Sequence, residues 1–134
     1  MIEAQRRDGV MIAGALGDID AANSPSLRDQ LAAFVDGETN TLVVDLTGTR
    51  YLDSAGIDML LRLGSLLGER RAMLMLVIPI DSQLTRLAAI VGLPDAMPVH
   101  VSVEAALSAN AARIASLAAA GGNEQASASG EPAQ

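Results

Sequence analysis

The sequence contains no cysteine among its 134 residues, which excludes disulfides, zinc–thiolate sites and thiol catalysis. Tryptophan is also absent, and one tyrosine and one phenylalanine leave little aromatic surface on which a base or a sugar would stack. Lysine is missing as well, so nine arginines face sixteen acidic residues and the formal net charge is −7. Non-specific nucleic-acid binding needs a basic surface, so nucleic acid is not expected as a partner.

Long apolar runs are missing too. The longest aliphatic stretch, residues 73–80, is too short to cross a bilayer, and residues 1–9 lack the apolar segment of a secretion signal. We therefore expect a cytoplasmic protein without direct membrane insertion. The length suits one domain, and the composition predicts a core of leucine, isoleucine, valine, alanine and methionine.

Short apolar runs alternate with helical patterns from residue 10 to residue 118, which predicts an α/β domain with a mostly parallel sheet. The expected strands are residues 2–6 at an edge, then 10–16, 42–46, 73–78 and 99–101. Four to five strands and four to five helices are thus predicted for a single domain over residues 1–118. Residues 119–134 are mostly small or polar and are predicted to form a disordered C-terminal tail.

The helix boundaries carry capping residues. Ser24 is expected to cap the first helix because a proline follows it, and Asp53 or Ser54 is expected to cap the second. Within this second helix Gly64 and Gly68 are four residues apart. We expect their shared face to pack closely against the sheet.

The most informative pattern lies in residues 41–61. A strand ends there, and Asp53-Ser54-Ala55-Gly56 leads directly into a helical pattern. Ser54 thus lies where the N–H groups of a helix N-terminus favour a negative group. One interpretation is that Asp53 or Ser54 simply caps the helix. The other is that Ser54 is a regulatory phosphorylation site, whose added charge changes the docking of a partner.

Other chemistries fit these residues less well. A Ser-His-Asp hydrolase would need His100, the only histidine, and Asp-Ser-Ala-Gly differs from the G-x-S-x-G elbow. Asp18, Asp20 and Asp53 carry oxygens suited to Mg²⁺, but turn formation explains the same residues. No glycine-rich phosphate loop is present. We therefore predict a protein that is not an enzyme and that has neither a cofactor nor a metal site.

These features make the chain resemble the STAS domain family, specifically its stand-alone anti-sigma factor antagonists. Gly17-Asp18-Ile19-Asp20 and the helix start at residues 25–28 look like the family's first loop and helix. Residues 43–57, VVDLTGTRYLDSAGI, look like its strand and Asp-Ser-Ser/Thr-Gly phosphorylation loop. The resemblance covers residues 8–118 and implies a STAS-like fold.

The resemblance also implies a protein switch. Such an antagonist binds an anti-sigma factor that is also a serine kinase, and so releases a sigma factor. Phosphorylation of the loop serine breaks this contact, and a serine phosphatase restores it. On this chain the implied phosphorylation site is Ser54, and the implied partner-binding residues are Asp20, Asp53, Ser54, Ala55, Gly56 and Asp58. Met59 is expected on the rim that faces the partner.

Ala55 departs from the family motif, which usually has a second hydroxyl residue at this position. If this lineage used the second position as phosphate acceptor, the chain would not be phosphorylated. We favour Ser54 because it is the only hydroxyl in the loop. Ala55 also fits the Asp-Ser/Thr-Ala-Gly loop of STAS subunits in membrane lipid-transport ATPase complexes, where the contact with the ATPase is constitutive. That is the alternative function, and a small-ligand sensor is a third.

Overall fold

The computed structural model of the protein describes residues 2–14 and 16–127. Strands and helices alternate along most of this length, as the apolar pattern predicts. The elements in chain order are β1 (Glu3–Arg7), β2 (Val10–Gly14), α1 (Ser24–Ala33), β3 (Thr41–Asp45), α2 (Ser54–Glu69), β4 (Met73–Val77), α3 (Leu84–Val91), α4 (Leu93–Ala96), β5 (Val99–His100) and α5 (Val103–Ser127).

The strands form one five-stranded sheet in the order β1-β2-β3-β4-β5. β1 pairs antiparallel with β2, and all other neighbours are parallel. The predicted α/β class and mostly parallel sheet are confirmed. β1 is exposed along its whole length, as an edge strand made of polar and charged residues would be.

The central strand β3 is buried because helices cover both faces of the sheet. Leu42 and Val44 pack into the larger core cluster with the apolar faces of α1, α2 and α3, whereas Val43 packs into a smaller cluster with Ala106 of α5. All three β3 side chains are fully buried. Side chains alternate along a strand, so an uninterrupted apolar run is what two covered faces require.

The start of α1 differs from the prediction by one residue. Its N-cap is Asn23, not Ser24, and the Asn23 side chain forms no capping hydrogen bond. Its Oδ1 instead accepts a hydrogen bond from the N–H of Asp20 at 2.9 Å. The residue at the helix start is therefore used to shape the preceding loop.

Helix α5 also ends later than expected, at Ser127 and not near residue 118. Consecutive alanines at 118–120 favour continuation of a helix, because alanine has the highest intrinsic helix propensity. The segment predicted as a disordered tail, residues 119–134, overlaps this helix in its first part. Residues 128–134 lie outside the described residues, and disorder there stays a prediction.

The parallel strands bring their following loops to one edge of the sheet. Asp45 at the end of β3 pairs in register with Val77 at the end of β4, and Val77 pairs with His100 at the end of β5. The chain therefore leaves all three strands at the same level. This carboxyl edge holds the loops that the sequence marks for function.

Candidate functional site

Two loops at the carboxyl edge are joined into one surface. The loop after β2 and the loop after β3 form an isolated parallel bridge between Ile19 and Leu52. Ile19 N–H donates to the carbonyl of Tyr51 at 3.0 Å, and Asp53 N–H donates to the carbonyl of Ile19 at 3.2 Å. Both Ile19 and Leu52 are buried, so this seam is anchored in the core. We use "loop surface" for residues 17–23, residues 49–53 and the first turn of α2.

Asp53 holds the loop surface together with its two carboxylate oxygens. Oδ1 accepts a hydrogen bond from the N–H of Gly56 at 2.9 Å and so caps α2, as predicted. Oδ2 accepts a hydrogen bond from the N–H of Ala21 at 3.2 Å, across the seam. One side chain therefore both starts the helix and fixes the neighbouring loop to it.

Asp18 and Asp20 also direct their carboxylates at backbone N–H groups. Asp18 Oδ1 accepts from Arg50 and Tyr51 N–H at 3.3 and 3.2 Å, and so forms a second connection across the seam. Asp20 Oδ1 accepts from the N–H groups two and three residues ahead, at 2.9 and 3.1 Å. These contacts match the turn-forming interpretation. Among the described residues, no group of three or more acidic or histidine side chains is placed to hold a metal ion.

Ser54 is the first residue of α2 and is exposed to solvent, whereas Ala55 beside it is half-buried. The side-chain hydrogen bonds within the loop surface come from Asp18, Asp20, Asn23, Thr49 and Asp53, and among the described residues none of them engages the Ser54 hydroxyl. The Ser54 hydroxyl is therefore exposed to solvent and forms no hydrogen bond within the described part of the domain.

One turn further along α2, Asp58 forms an ion pair with Arg62, with Nε and Oδ2 at 2.6 Å. Both side chains are more than half exposed, so the pair adds little to stability. It does place a cation next to the acid closest to Ser54 along the helix face. The i, i+4 spacing of Asp58 and Arg62 is visible in the sequence, although Arg62 was not among the predicted site residues.

Gly56 is the glycine that close packing requires. A Cβ atom at this position would lie 2.5 Å from Leu52 Cδ1 and 2.9 Å from Ile19 Cγ2, both part of the buried seam. The predicted close face at Gly68 is wrong, because a Cβ there would meet nothing within 4 Å, and at Gly64 it would make only ordinary contacts. The helix approaches the loops at its first turn, where the seam passes under it.

Two other expectations concern residues near the loop surface. Met59 is buried in the core, so its expected place on a partner-facing rim is wrong. It follows Gly56 by three residues on the inward side of α2 and belongs to the same core cluster as Ile19 and Leu52. His100 lies on β5, with β4 between it and the strand that leads to Ser54, so the fold separates the serine from the only histidine.

Comparison with known proteins identifies this arrangement. The STAS domain family model matches residues 1–106. The chain belongs to the STAS domain family. The described residues of this STAS domain include no helix with both the length and the apolar character that a membrane span requires.

Several relatives of this STAS domain are named as anti-sigma factor antagonists. It is similar to the anti-sigma-F factor antagonist RsfA of Mycobacterium tuberculosis, at 31% identity over 78% of this chain and 83% of the relative. It is similar to the anti-sigma-B factor antagonist of Listeria monocytogenes, at 31% identity over 70% of this chain and 81% of the relative. A crystal structure of an anti-sigma factor antagonist from Mycobacterium paratuberculosis superposes with a TM-score of 0.71 at 26% identity, over 81% of this chain and 92% of that one.

Replacement of Asp53 by alanine is expected to lower the free energy of unfolding of the STAS domain by about 1–2 kcal/mol, because it removes a helix cap and a contact across the seam. Asp53→Asn is expected to lose less, because the amide oxygen keeps the cap to Gly56 while its NH₂ group faces the N–H of Ala21. Urea unfolding of the three proteins measures the order. Equal stability of the wild type and Asp53→Ala would contradict the double role of this carboxylate.

Proposed function

We propose that this STAS domain is an anti-sigma factor antagonist that binds an anti-sigma factor through the loop surface and is switched by phosphorylation of Ser54. The observation that carries the proposal is the exposed Ser54 hydroxyl at the start of α2, on loops fixed by hydrogen bonds. The names of relatives at 31% identity support the choice of partner. The protein is then a regulator and not an enzyme, and it works in the cytoplasm, where sigma factors act.

A phosphate on Ser54 is compatible with the folded domain. Ser54 is exposed, so a kinase can reach the hydroxyl without unfolding the loops. The residue occupies the first position of a helix of 16 residues, where the helix dipole and free N–H groups favour negative charge. Modification therefore changes the surface of the domain and not its fold.

The same phosphate is unfavourable for docking. It adds a charge of about −1.5 to −2 beside Asp53 and one helical turn from Asp58. Asp53 is itself an acid whose two oxygens accept backbone N–H groups, and the Arg62 guanidinium is already paired with Asp58, so the new charge is added between two acidic residues. A partner that fits the unmodified surface would have to bury this charge or move away from it.

We propose a serine kinase and a serine phosphatase as further partners, both acting on Ser54. The family's kinase is the anti-sigma factor itself, which would approach the same loops that it binds. Asp20 lies in the loop that Asp53 fastens to α2, and we propose that it contributes to this contact together with Ala55, Gly56 and Asp58.

Mass spectrometry of the protein isolated from its native cells tests the switch. We expect a phosphate on the peptide containing Ser54 that phosphatase treatment removes, together with co-purification of an anti-sigma factor with the unmodified form. An unmodified loop under several growth and stress conditions, with an ATP-binding-cassette subunit as the co-purifying protein, would contradict the proposal. It would favour the constitutive contact of a lipid-transport complex.

A further inference from the structure

Three large apolar side chains are exposed at the carboxyl edge of the sheet. Tyr51 follows β3, Ile80 follows β4 and Val101 follows β5, and their exposed fractions are 54%, 82% and 56%. These three strands are neighbours in the sheet. The side chains therefore lie on consecutive loops, and we use "apolar strip" for Tyr51, Ile80 and Val101.

A cavity lies at the far end of the apolar strip. Ile80 and Val101 both line it, and its volume is about 210 Å³. Its other walls come from the end of β4, from α3, from α4 and from β5; they are the apolar residues Ile78, Ala88, Ala89, Pro94 and Val99 and the polar residues Thr85 and His100. Alanine at two positions of α3 leaves the space between the helix and β5 open. The lining is mostly aliphatic, so the cavity suits an apolar side chain.

The apolar strip continues the loop surface. The ends of β3, β4 and β5 are in register, and Leu46 N–H donates to the carbonyl of Val77 at 2.9 Å just past β3. Neighbouring strands are about 4.8 Å apart, so the ends of β3 and β5 lie about 10 Å apart, and the three side chains lie on the loops that follow these strand ends. Tyr51 belongs to both surfaces, since its backbone N–H and carbonyl take part in the seam. A protein that covers Ser54 and Tyr51 therefore docks at the same edge of the sheet that carries Ile80 and Val101.

We propose that the anti-sigma factor covers the apolar strip as well as the loop surface, and that it inserts an aliphatic or aromatic side chain into the cavity between α3 and β5. This inference rests on the proposed function. Protein interfaces combine a buried apolar centre with a polar rim, and a few large side chains seated in pockets provide most of the affinity. The strip would then provide most of the affinity for the anti-sigma factor. The acidic surface around Ser54 would provide a contact that phosphorylation weakens.

Ile80 and Ile90 form a matched pair for the test. Ile90 is also exposed, at 73%, but it lies near the end of α3. Ala89 lines the cavity, but Ile90 after it does not, and Ile90 is not part of the strip. The same substitution at the two isoleucines therefore adds the same charge to two exposed apolar positions, only one of which is on the strip.

The experiment uses the full chain and each purified anti-sigma factor encoded in the source genome, with titration calorimetry as readout. For the factor that binds, we expect Ile80→Asp to raise Kd by about tenfold or more and Ile90→Asp to leave it within about twofold. Ala89→Phe fills the cavity without adding charge and is expected to raise Kd in the same direction, while Ile90→Phe serves as its control. Thermal unfolding of each variant verifies that the domain stays folded.

The outcomes separate the two proposals. Equal Kd values for Ile80→Asp and Ile90→Asp would overturn the inference about the strip, while loss of binding in Ser54→Asp would leave the proposed function standing. If no anti-sigma factor binds the wild-type chain, the proposed function and the strip are both overturned. In ¹³C-methyl spectra of the wild-type chain, binding of the anti-sigma factor is expected to shift or broaden the Ile80 signal and to leave the Ile90 signal unchanged.

Discussion

Ser54→Asp is expected to weaken binding of the anti-sigma factor by at least about thirtyfold, because a charge brought into an interface without a partner costs about 2–5 kcal/mol. The aspartate would stand between Asp53 and Asp58, and the Arg62 guanidinium beside Asp58 is already paired with that acid. Its fold should be unaffected, since an acidic residue in the first turn of a helix is favourable. Titration calorimetry against the purified anti-sigma factor measures the loss.

Two controls isolate the effect of charge at this position. Ser54→Ala removes the hydroxyl without adding charge and is expected to keep the affinity of the unmodified protein. Ser65→Asp places the same charge on an exposed serine of α2, about 16 Å further along the helix axis, and is expected to change binding little. Equal affinities of Ser54→Asp and Ser54→Ala would show that the loop surface does not work as an electrostatic switch.

Gly56→Ala is expected to reduce the free energy of unfolding by about 1–3 kcal/mol, although alanine is the better helix former. The new methyl group would lie 2.5 Å from Leu52 Cδ1 and 2.9 Å from Ile19 Cγ2. Ile19 is completely buried and branched at the clashing position, so it cannot turn away into solvent. Relief requires α2 and the seam to separate, which would also displace Asp53 and Ser54. Both urea unfolding and partner binding should report the change.

Gly68→Ala is the control for the same substitution in the same helix. A Cβ atom at Gly68 would meet nothing within 4 Å, so this variant is expected to gain up to about 1 kcal/mol from helix propensity alone. Opposite signs for the two glycines would establish that packing under the first turn, and not the helix itself, requires Gly56. A gain of stability in both variants would mean that the seam adapts to the extra methyl group.

The sequence predicts the sheet well because its strands are set by burial. The apolar runs that become β3 and β4 are short and continuous, which is typical of strands that helices cover on both faces of a sheet. Capping residues also predict the start of α2 at Asp53 or Ser54, and in the structure Asp53 is the N-cap. The end of α5 was missed because alanine extends a helix without leaving an apolar stripe to count.

The sequence indicates where the candidate site lies along the chain, but not the contacts that its residues make. Asp53 and Ser54 stand out in the sequence because they interrupt a strand–helix junction. The attachment of Asp53 to Ala21 and of Asp18 to Tyr51 joins residues from different loops, and no local pattern encodes such a pair. The role of Gly56 was missed for the same reason. A glycine in a helix shows its purpose only when the atoms across from it are known, and here they come from the two loops of the seam.

The seam between the two loops determines when the proposed switch can form during folding. Its hydrogen bonds join residues 32 to 34 positions apart, and helix α1 and strand β3 lie between them in the chain. Closing such a long loop carries an entropic cost that only the completed β2-α1-β3 unit offsets. The proposed docking surface therefore forms together with the fold. Newly made, damaged or proteolysed chains that have not closed this unit would not compete for the anti-sigma factor. The fraction of anti-sigma factor in complex would therefore depend only on folded antagonist molecules.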